Sequence, residues 1–158
     1  MSLDILKDPN PELRTSSAPV AEERFGTPEL KAFGAQMIDA MLDDNGIGLA
    51  APQVGVHDRM IVVTMNNQPA VYVNPEIVSR STALFDFEEG CLSVPGVFGL
   101  VERHKKVKVR ARTLDGLPVQ LSLKQLNAVI FQHEIDHLDG VLFTDKVKRL
   151  THSSTTIA

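Results

Sequence analysis

The sequence of 158 residues has a single cysteine and no long apolar run. One cysteine excludes an internal disulfide, which is typical of a protein from a reducing compartment. No stretch approaches the roughly 18 apolar residues that a membrane-spanning helix needs. The first dozen residues carry Asp4, Lys7 and Asp8, so no signal peptide is visible. We expect a cytoplasmic protein without membrane contact, or an organellar one that has lost a targeting segment.

An excess of basic residues is also absent. The chain has 16 Lys and Arg and 20 Asp and Glu, which gives a net charge of −4. This balance argues against general or sequence-specific nucleic-acid binding. The local exception is segment 103–112, where Val107, Val109 and Ala111 alternate with charged residues. That alternation predicts a half-exposed strand. We interpret the charges as a solvated face and keep an anionic partner as the alternative.

Two histidines lie four residues apart in the segment Gln132-His133-Glu134-Ile135-Asp136-His137. Apolar residues recur before them at helical spacing, so we predict a helix from about residue 123. Residues four apart project from one helix face, so both imidazoles can bind one metal ion. Glu134 points about 100° round the helix axis, beside the metal, where a base is useful. Two buried histidines without such a ligand would be costly to satisfy.

The sequence lacks the downstream residues that complete other sites of this kind. A catalytic metal usually has three protein ligands and one open position. Phe143 occupies the position of the third histidine in one protease pattern, no methionine follows Met65, and Glu134 is the last glutamate. The third ligand must be upstream or an aspartate. Cys91, in a glycine-flanked turn, is the strongest candidate, although a lone cysteine can also be a small buried hydrophobe.

The length fits one domain, residues 1–158, in which we expect residues 1–4 and 149–158 to be frayed. Thr27 and Pro28 predict the start of a first helix, and Asn45-Gly46 its end. The residues that bracket Asn66-Asn67-Gln68 and Asp115-Gly116 predict antiparallel strand pairs. We therefore predict an α+β fold in which mostly antiparallel sheets pack around a central metal-binding helix, with an N-terminal helix.

Three segments resemble the signature motifs of the peptide deformylase family. They are GIGLAAPQVG at 46–55, EGCLSVPG at 89–96 and QHEIDHLDG at 132–140, in the order and at separations expected for that family. The similarity runs from about Ile5 to Val147, which is nearly the whole chain. Three motifs together are far more specific than any one of them.

The resemblance implies a metal-dependent hydrolase. Cys91, His133 and His137 would bind one divalent ion, which is ferrous iron in this family and can be replaced by nickel, cobalt or zinc. The metal would activate a water molecule that attacks the formyl carbon. Glu134 would take a proton from that water and pass it to the leaving amine. The side-chain amide of Gln53 and the backbone N–H of Leu92 would stabilise the oxyanion.

The resemblance also implies the substrate, which is the N-formyl group on the initiator methionine of a newly made polypeptide, with formate as a product. An extended peptide could add as a strand beside Ile47-Gly48 and Gly90–Leu92, and Gly48 would let it approach closely. Apolar side chains would surround the methionine; they are Ile47, Phe87, Leu126, Val129 and Ile130. For Leu126 a core position is the preferred interpretation.

We expect a monomer. Any ribosome contact should be weak, because the polar tail after Val147 lacks the additional C-terminal helix that many family members use for that contact. Three other interpretations stay open. They are a metallopeptidase, a thiol hydrolase that uses Cys91 as nucleophile, and a metal-stabilised binding module without turnover.

Overall fold

The computed structural model describes residues 3 to 152. Two α-helices and eight strands follow one another in an α+β arrangement, which confirms the predicted fold class. In chain order the elements are α1 Pro28–Asp43, β1 Gly48–Ala50, β2 Met60–Met65, β3 Gln68–Arg80, β4 Leu84–Cys91, β5 Val94–His104, β6 Lys106–Arg112, β7 Pro118–Lys124, α2 Gln125–Leu138 and β8 Val147–Thr151. None of the helices in this part of the chain is long and apolar enough to cross a membrane.

The strands form two antiparallel sheets. One sheet has five strands in the order β1-β2-β3-β6-β7, and the other has three in the order β4-β5-β8. Strands β1 and β4 therefore each lie at an edge of their sheet. The peptide groups on the outer side of an edge strand can pair with a further strand.

The predicted turns between strands are present. Asn66 and Asn67 join β2 to β3 and have φ angles of 51° and 62°. Positive φ at both central residues is the geometry of a tight hairpin turn, which asparagine tolerates better than most side chains. Gly116, with a φ of 90°, lies in the connection from β6 to β7. Both predicted hairpins are thus confirmed.

Helix α1 begins and ends close to where its sequence predicts. The Thr27 side-chain oxygen accepts a hydrogen bond from the N–H of Leu30 at 3.3 Å, and Pro28 occupies the first position. At the other end Asn45 has a φ of 58°, and the N–H of Gly46 donates to the carbonyl of Met41 at 2.9 Å. These bonds satisfy backbone groups that the helix itself leaves open.

Helix α2 lies at the centre of the molecule. From Ala128 to Leu138 every residue except Asp136 is buried. Its Phe131 ring meets Tyr72 of β3 edge to face, with 5.1 Å between the ring centroids. Leu126 corrects our expectation, because α2 starts at Gln125 and leaves Leu126 39% exposed in the first turn.

Segment 103–112 is not one strand, which corrects our prediction. The chain bends between β5 and β6, so Arg103 belongs to β5 and is buried. The alternation holds within β6 alone, where Val107, Val109 and Ala111 face the core. The sequence pattern missed the bend because the charges on both sides of it look alike.

The end of the chain also differs from the expectation of fraying. Residues 149 to 151 belong to β8, in which Leu150 pairs with Gly99 and Thr151 with Phe98. At the other end Leu3 packs against the apolar cluster around α1. The remaining residues of the two predicted frayed ends, 1–2 and 153–158, lie outside the described part of the chain.

The position of Phe131 predicts a large cost for truncation. Phe131→Ala would remove a ring that is 0% exposed and would leave a cavity between α2 and the five-stranded sheet. We expect the free energy of unfolding to fall by about 3–5 kcal/mol, measured by urea denaturation. Leu117→Ala, at a position that is 63% exposed, is the control and should change stability by less than about 0.5 kcal/mol. Equal effects of the two variants would contradict the central position of α2.

Candidate metal centre

Three side chains from two elements converge at the C-terminal end of β4, an edge strand of the three-stranded sheet. Cys91 is the last residue of β4, and His133 and His137 lie one turn apart on α2. The Cys91 sulfur lies 3.5 Å from Nε2 of His137, and the two Nε2 atoms are 3.3 Å apart. All three ligand atoms lie within 4.8 Å of one another, and all three residues are buried.

These distances suit one metal ion. Tetrahedral coordination with typical metal–nitrogen and metal–sulfur bonds places ligand atoms roughly 3.3–3.8 Å apart. A thiolate and two imidazoles are a donor set that binds zinc and other divalent first-row metals. Among the described residues no fourth His, Cys, Asp or Glu joins the group. The three residues therefore fit a metal site that keeps an open position.

Glu89 fixes the orientation of one imidazole. Its Oε1 atom lies 2.8 Å from Nδ1 of His133, so the Nε2 atom of that ring faces Cys91 and His137. The other side of the same carboxylate accepts hydrogen bonds from Arg103, whose Nε lies 2.7 Å from Oε2. Arg103 in turn donates to Asp136 at 2.7 Å. A buried chain of charges thus connects β4, β5 and α2 behind the ligand group.

The charges in this chain shift one another strongly. Burial raises the pKa of Glu89, but hydrogen bonds from Arg103 and His133 outweigh it and hold that pKa at about 2. Burial lowers the pKa of Arg103, and the Glu89 carboxylate more than reverses this effect. The pKa of His133 likewise lies well above its ordinary value, because bonds to Cys91 and Glu89 overcome the effect of burial. His133 must release its proton before it can bind a metal.

Glu134 lies beside the ligand group and is completely buried. Neither of its carboxylate oxygens has a hydrogen-bond partner among the described residues. Burial raises the pKa of this carboxyl to about 8. Because buried polar atoms are nearly always paired in folded proteins, an unpaired buried carboxylate at a site is a sign of chemistry there.

Gly48 of β1 makes room for Glu134. A Cβ atom at position 48 would lie 2.5 Å from Oε2 of Glu134, which is far inside contact distance. We expected this glycine to admit a peptide substrate. Its contact within the chain gives a second reason, because any side chain here would displace the carboxylate.

Gln53 is held with its amide nitrogen toward Cys91. Its Oε1 accepts a hydrogen bond from the Ala50 N–H at 2.9 Å, so the –NH₂ group must point the other way. That nitrogen lies 3.7 Å from the Cys91 sulfur and 3.1 Å from the Ser93 hydroxyl. The side chain is completely buried. Gln53, predicted from sequence, is thus adjacent to the ligand group.

Leu92 follows β4 and lies at the wall of a cavity of about 390 Å³. The Nζ atom of Lys7 donates to its carbonyl at 2.8 Å, which ties the N-terminal segment to this turn. Of the ligand group, Cys91 lines this cavity. Its lining residues are Lys7, Asp43, Asp44, Asn45, Cys91, Leu92, Pro95 and Gly96.

The predicted apolar pocket residues do not line this cavity. Val129 and Ile130 are buried in the core of α2, whereas Ile47 and Phe87 are partly buried against the same core cluster. Gly90 is buried in β4 just before Cys91. The four apolar residues thus belong to or pack against one core cluster, and their contact with a substrate stays a prediction.

Sequence reasoning missed Glu89, Arg103 and Ser93. Glu89 does stand in the motif around Cys91, and its place two residues from a predicted ligand was a usable signal. No such signal marked Arg103, because nothing in the sequence distinguishes it from the other basic residues of segment 103–112. Only the pairing of β4 with β5 brings Arg103 to within hydrogen-bond distance of Glu89.

Fold and site together define an α+β hydrolase with a group of residues suited to one metal ion. The family model for polypeptide deformylase matches residues 2–153. The chain is 43% identical to the peptide deformylase of Alkalilimnicola ehrlichii over 152 residues, which cover 94% of this chain and 83% of that protein. It is 45% identical to the Brucella suis peptide deformylase over 147 residues, which cover 90% and 82% of the two chains.

Solved structures give the same result. A class I type b peptide deformylase from Acinetobacter baumannii superposes with a TM-score of 0.90 at 39% identity, covering 92% of this chain and 99% of that one. The Thermotoga maritima peptide deformylase gives a TM-score of 0.89 at 38% identity, covering 94% and 99%. The chain therefore belongs to the polypeptide deformylase family, which confirms the resemblance and the enzyme class predicted from its three motifs.

The Glu89 contact predicts a change in metal affinity. Glu89→Gln removes the charge that holds His133 and leaves Arg103 with one acidic partner fewer. We expect metal affinity to fall by about 10–100-fold, measured by competition with a chromogenic chelator. Asp86→Asn is the matched control on the same strand, because Asp86 is exposed and pairs with Lys148 at 3.0 Å. If both variants bound metal as the parent does, the positioning role of Glu89 would be wrong.

Proposed function

We propose that this protein removes the N-formyl group from the initiator methionine of newly made polypeptides and releases formate. The observation that carries the proposal is the convergence of Cys91, His133 and His137 beside the unpaired carboxylate of Glu134 in a member of this family. One relative, from Acinetobacter baumannii, has been solved with Met-Ala-Ser bound. A methionine-led peptide is the product that this reaction leaves behind.

Cys91, His133 and His137 would hold one divalent ion, which we propose is ferrous iron in the cell, with nickel, cobalt or zinc as substitutes. Such an ion, when bound, lowers the pKa of water and polarises the formyl carbonyl. Glu89 keeps the His133 ring turned toward this position. The carboxylate of Glu134 is next to the same position and is the group placed to move protons.

Glu134 acts as general base and then as general acid. In its ionised form it accepts a proton from the attacking water, and it then delivers that proton to the nitrogen of the breaking C–N bond. The absence of a side chain at Gly48 leaves room for this carboxylate, which a Cβ atom there would push away from β1. Since no described side chain holds its oxygens, Glu134 is free to bond to water and then to the amine.

Gln53 and Leu92 stabilise the charge that develops on the formyl oxygen. The amide –NH₂ of Gln53 is directed toward the ligand group by the bond from Ala50, so it needs no reorientation during reaction. The backbone N–H of Leu92, next to Cys91, is the second donor. Donors placed in advance in a buried site stabilise charge more than donors in water do.

The two free sheet edges support binding of an extended peptide. Both β1, with Gly48, and the end of β4, with Gly90 and Cys91, are edge strands. Peptide addition at such edges uses backbone hydrogen bonds and so accepts many sequences. Ile47, Phe87, Val129 and Ile130 would receive the methionine side chain. An enzyme that acts on many new polypeptides must recognise their shared first residue and accept any sequence after it.

The competing interpretations differ from this proposal in measurable ways. A thiol hydrolase would lose activity on alkylation of Cys91 but not on chelation. A metallopeptidase would cleave unformylated peptides. A binding module would close its metal with a fourth ligand, whereas the described residues supply three. Cytoplasmic location, a monomeric state and a weak ribosome contact stay predictions.

The proposal is tested by formate release from formyl-Met-Ala-Ser. Protein loaded with ferrous iron under oxygen-free conditions should turn over this peptide, and a chelator should stop it. Unformylated Met-Ala-Ser is the control and should not be cleaved. Full metal occupancy without formate release would disprove the function.

Replacement of the base predicts loss of turnover without loss of metal. Glu134→Ala removes the proton carrier but none of the three ligands, so metal content should equal that of the parent. We expect the rate of formate release to fall by at least 10²–10⁴-fold, roughly the contribution of a positioned acid–base group. Cys91→Ala is the contrasting variant and should lose metal and activity together. Loss of metal from Glu134→Ala would contradict the assigned role.

A methyl group at position 48 should act through Glu134. Gly48→Ala places a Cβ atom 2.5 Å from Oε2 of Glu134, and the carboxylate must move to relieve the contact. We expect kcat to fall by on the order of 10²-fold, the cost of a displacement of about 1 Å at a reacting group. Metal content measured by elemental analysis should stay unchanged. A variant with raised KM and parental kcat would instead support a role for Gly48 in peptide binding alone.

A further inference from the structure

The cations of this protein are unevenly distributed over its surface. Nine of the sixteen Lys and Arg side chains form ion pairs with an Asp or Glu. The other seven have no such partner within residues 3 to 152. Four of these seven line one groove where β3, β6 and β7 meet, and a fifth, Lys105, lies in the bend just before β6. This set, which we call the basic face, consists of Arg80, Lys105, Lys106, Lys108 and Lys124.

The sheet register places these charges next to one another. Lys106 of β6 lies directly opposite Lys124 of β7, and Lys108 lies opposite Ser122 on one side and Ser79 of β3 on the other. Like charges directly opposite in a sheet are destabilising. Folding alone therefore gives no reason for this pair. A negatively charged partner would relieve the repulsion.

A groove runs along the basic face. It has a volume of about 420 Å³, and none of its nine lining residues is acidic or aromatic. Lysine side chains can lay their aliphatic stems along such a wall and keep their charged ends in water. Hydroxyl groups lie between the charges. The lining residues are Ser79, Arg80, Ser81, Lys106, Val107, Lys108, Ser122, Leu123 and Lys124.

We propose that the basic face binds the phosphate backbone of an RNA duplex. Lys, Arg and Ser side chains are the groups that contact phosphate and sugar. The serine hydroxyls can pair with the 2′-OH groups that A-form RNA exposes in its wide, shallow minor groove. Without an aromatic side chain the groove offers no stacking platform for single strands, and the strands that form it present no helix to enter the major groove of DNA.

This surface is separate from the metal centre. Its residues come from β3, β6, β7 and the bend before β6, and none of them belongs to the ligand group. The net charge of −4 makes the attraction local to the basic face and predicts binding without base specificity. The inference therefore stands or falls independently of the proposed catalytic function.

Fluorescence anisotropy of a labelled RNA duplex with the metal-loaded full chain tests the inference. Binding of the parent should weaken steeply between 50 and 200 mM salt, as for other phosphate contacts, with about one phosphate lost per lysine removed. The double variant Lys106→Gln, Lys108→Gln should bind on the order of ten-fold more weakly at low salt, and the slope of log K against log salt should fall by about two. Thermal unfolding should match that of the parent.

The matched control is Lys148→Gln with Arg149→Gln on β8, which changes the net charge by the same amount far from the groove. It should bind RNA as the parent does. If both double variants weakened RNA binding equally, the affinity would depend on net charge alone, and the proposal would be overturned. Equal affinity for a DNA duplex of the same sequence would overturn the assignment to RNA. Tighter binding to phosphatidylglycerol vesicles or to polyglutamate would do the same.

Discussion

The contact between Glu89 and His133 is the constraint on which the rest of the site depends. It joins a sheet edge to the central helix, and it fixes which nitrogen of His133 faces Cys91. Arg103 and Asp136 extend the contact into a buried chain of charges. Buried ion pairs add little to stability compared with apolar packing, because desolvation offsets their attraction. Their value here is positional, since the ligand atoms of two elements must agree to within a fraction of an ångström.

The packing around Glu134, the proposed base, is equally tight. Glu134 is buried without a partner among the described residues, next to a strand whose glycine leaves only enough room for its carboxylate. A carboxylate that is held by other side chains would be a poor proton carrier, because it would have to break those bonds first. The site thus holds the proposed ligands firmly and leaves the proposed acid–base group, Glu134, without a hydrogen-bond partner among the described residues. This division follows from the different tasks of binding a metal and moving a proton.

The molecule has two distinct faces. Free edges of both sheets lie at the candidate metal centre, and the basic face lies on the other strands of the larger sheet. The edge strands β1 and β4 flank the ligand group, whereas the basic face lies on β3, β6 and β7. A small α+β domain can thus carry the proposed RNA-binding surface apart from the candidate metal centre, because alternate residues of a strand point to opposite sides. Val107 and Val109 pack in the core while Lys106 and Lys108 face solvent.

Local patterns in the sequence determined the helices, the hairpins and the identity of the candidate ligands. The spacing of His133 and His137 fixes their common helix face, and the asparagines at 66 and 67 fix a turn, because both effects act over a few neighbouring residues. The tertiary structure alone decided what pairs across long separations. It buried Arg103 against Glu89, placed Gly48 against Glu134, and made a strand of residues 149–151 that look frayed by composition. These outcomes depend on which strands become neighbours, and no short pattern in the chain specifies that.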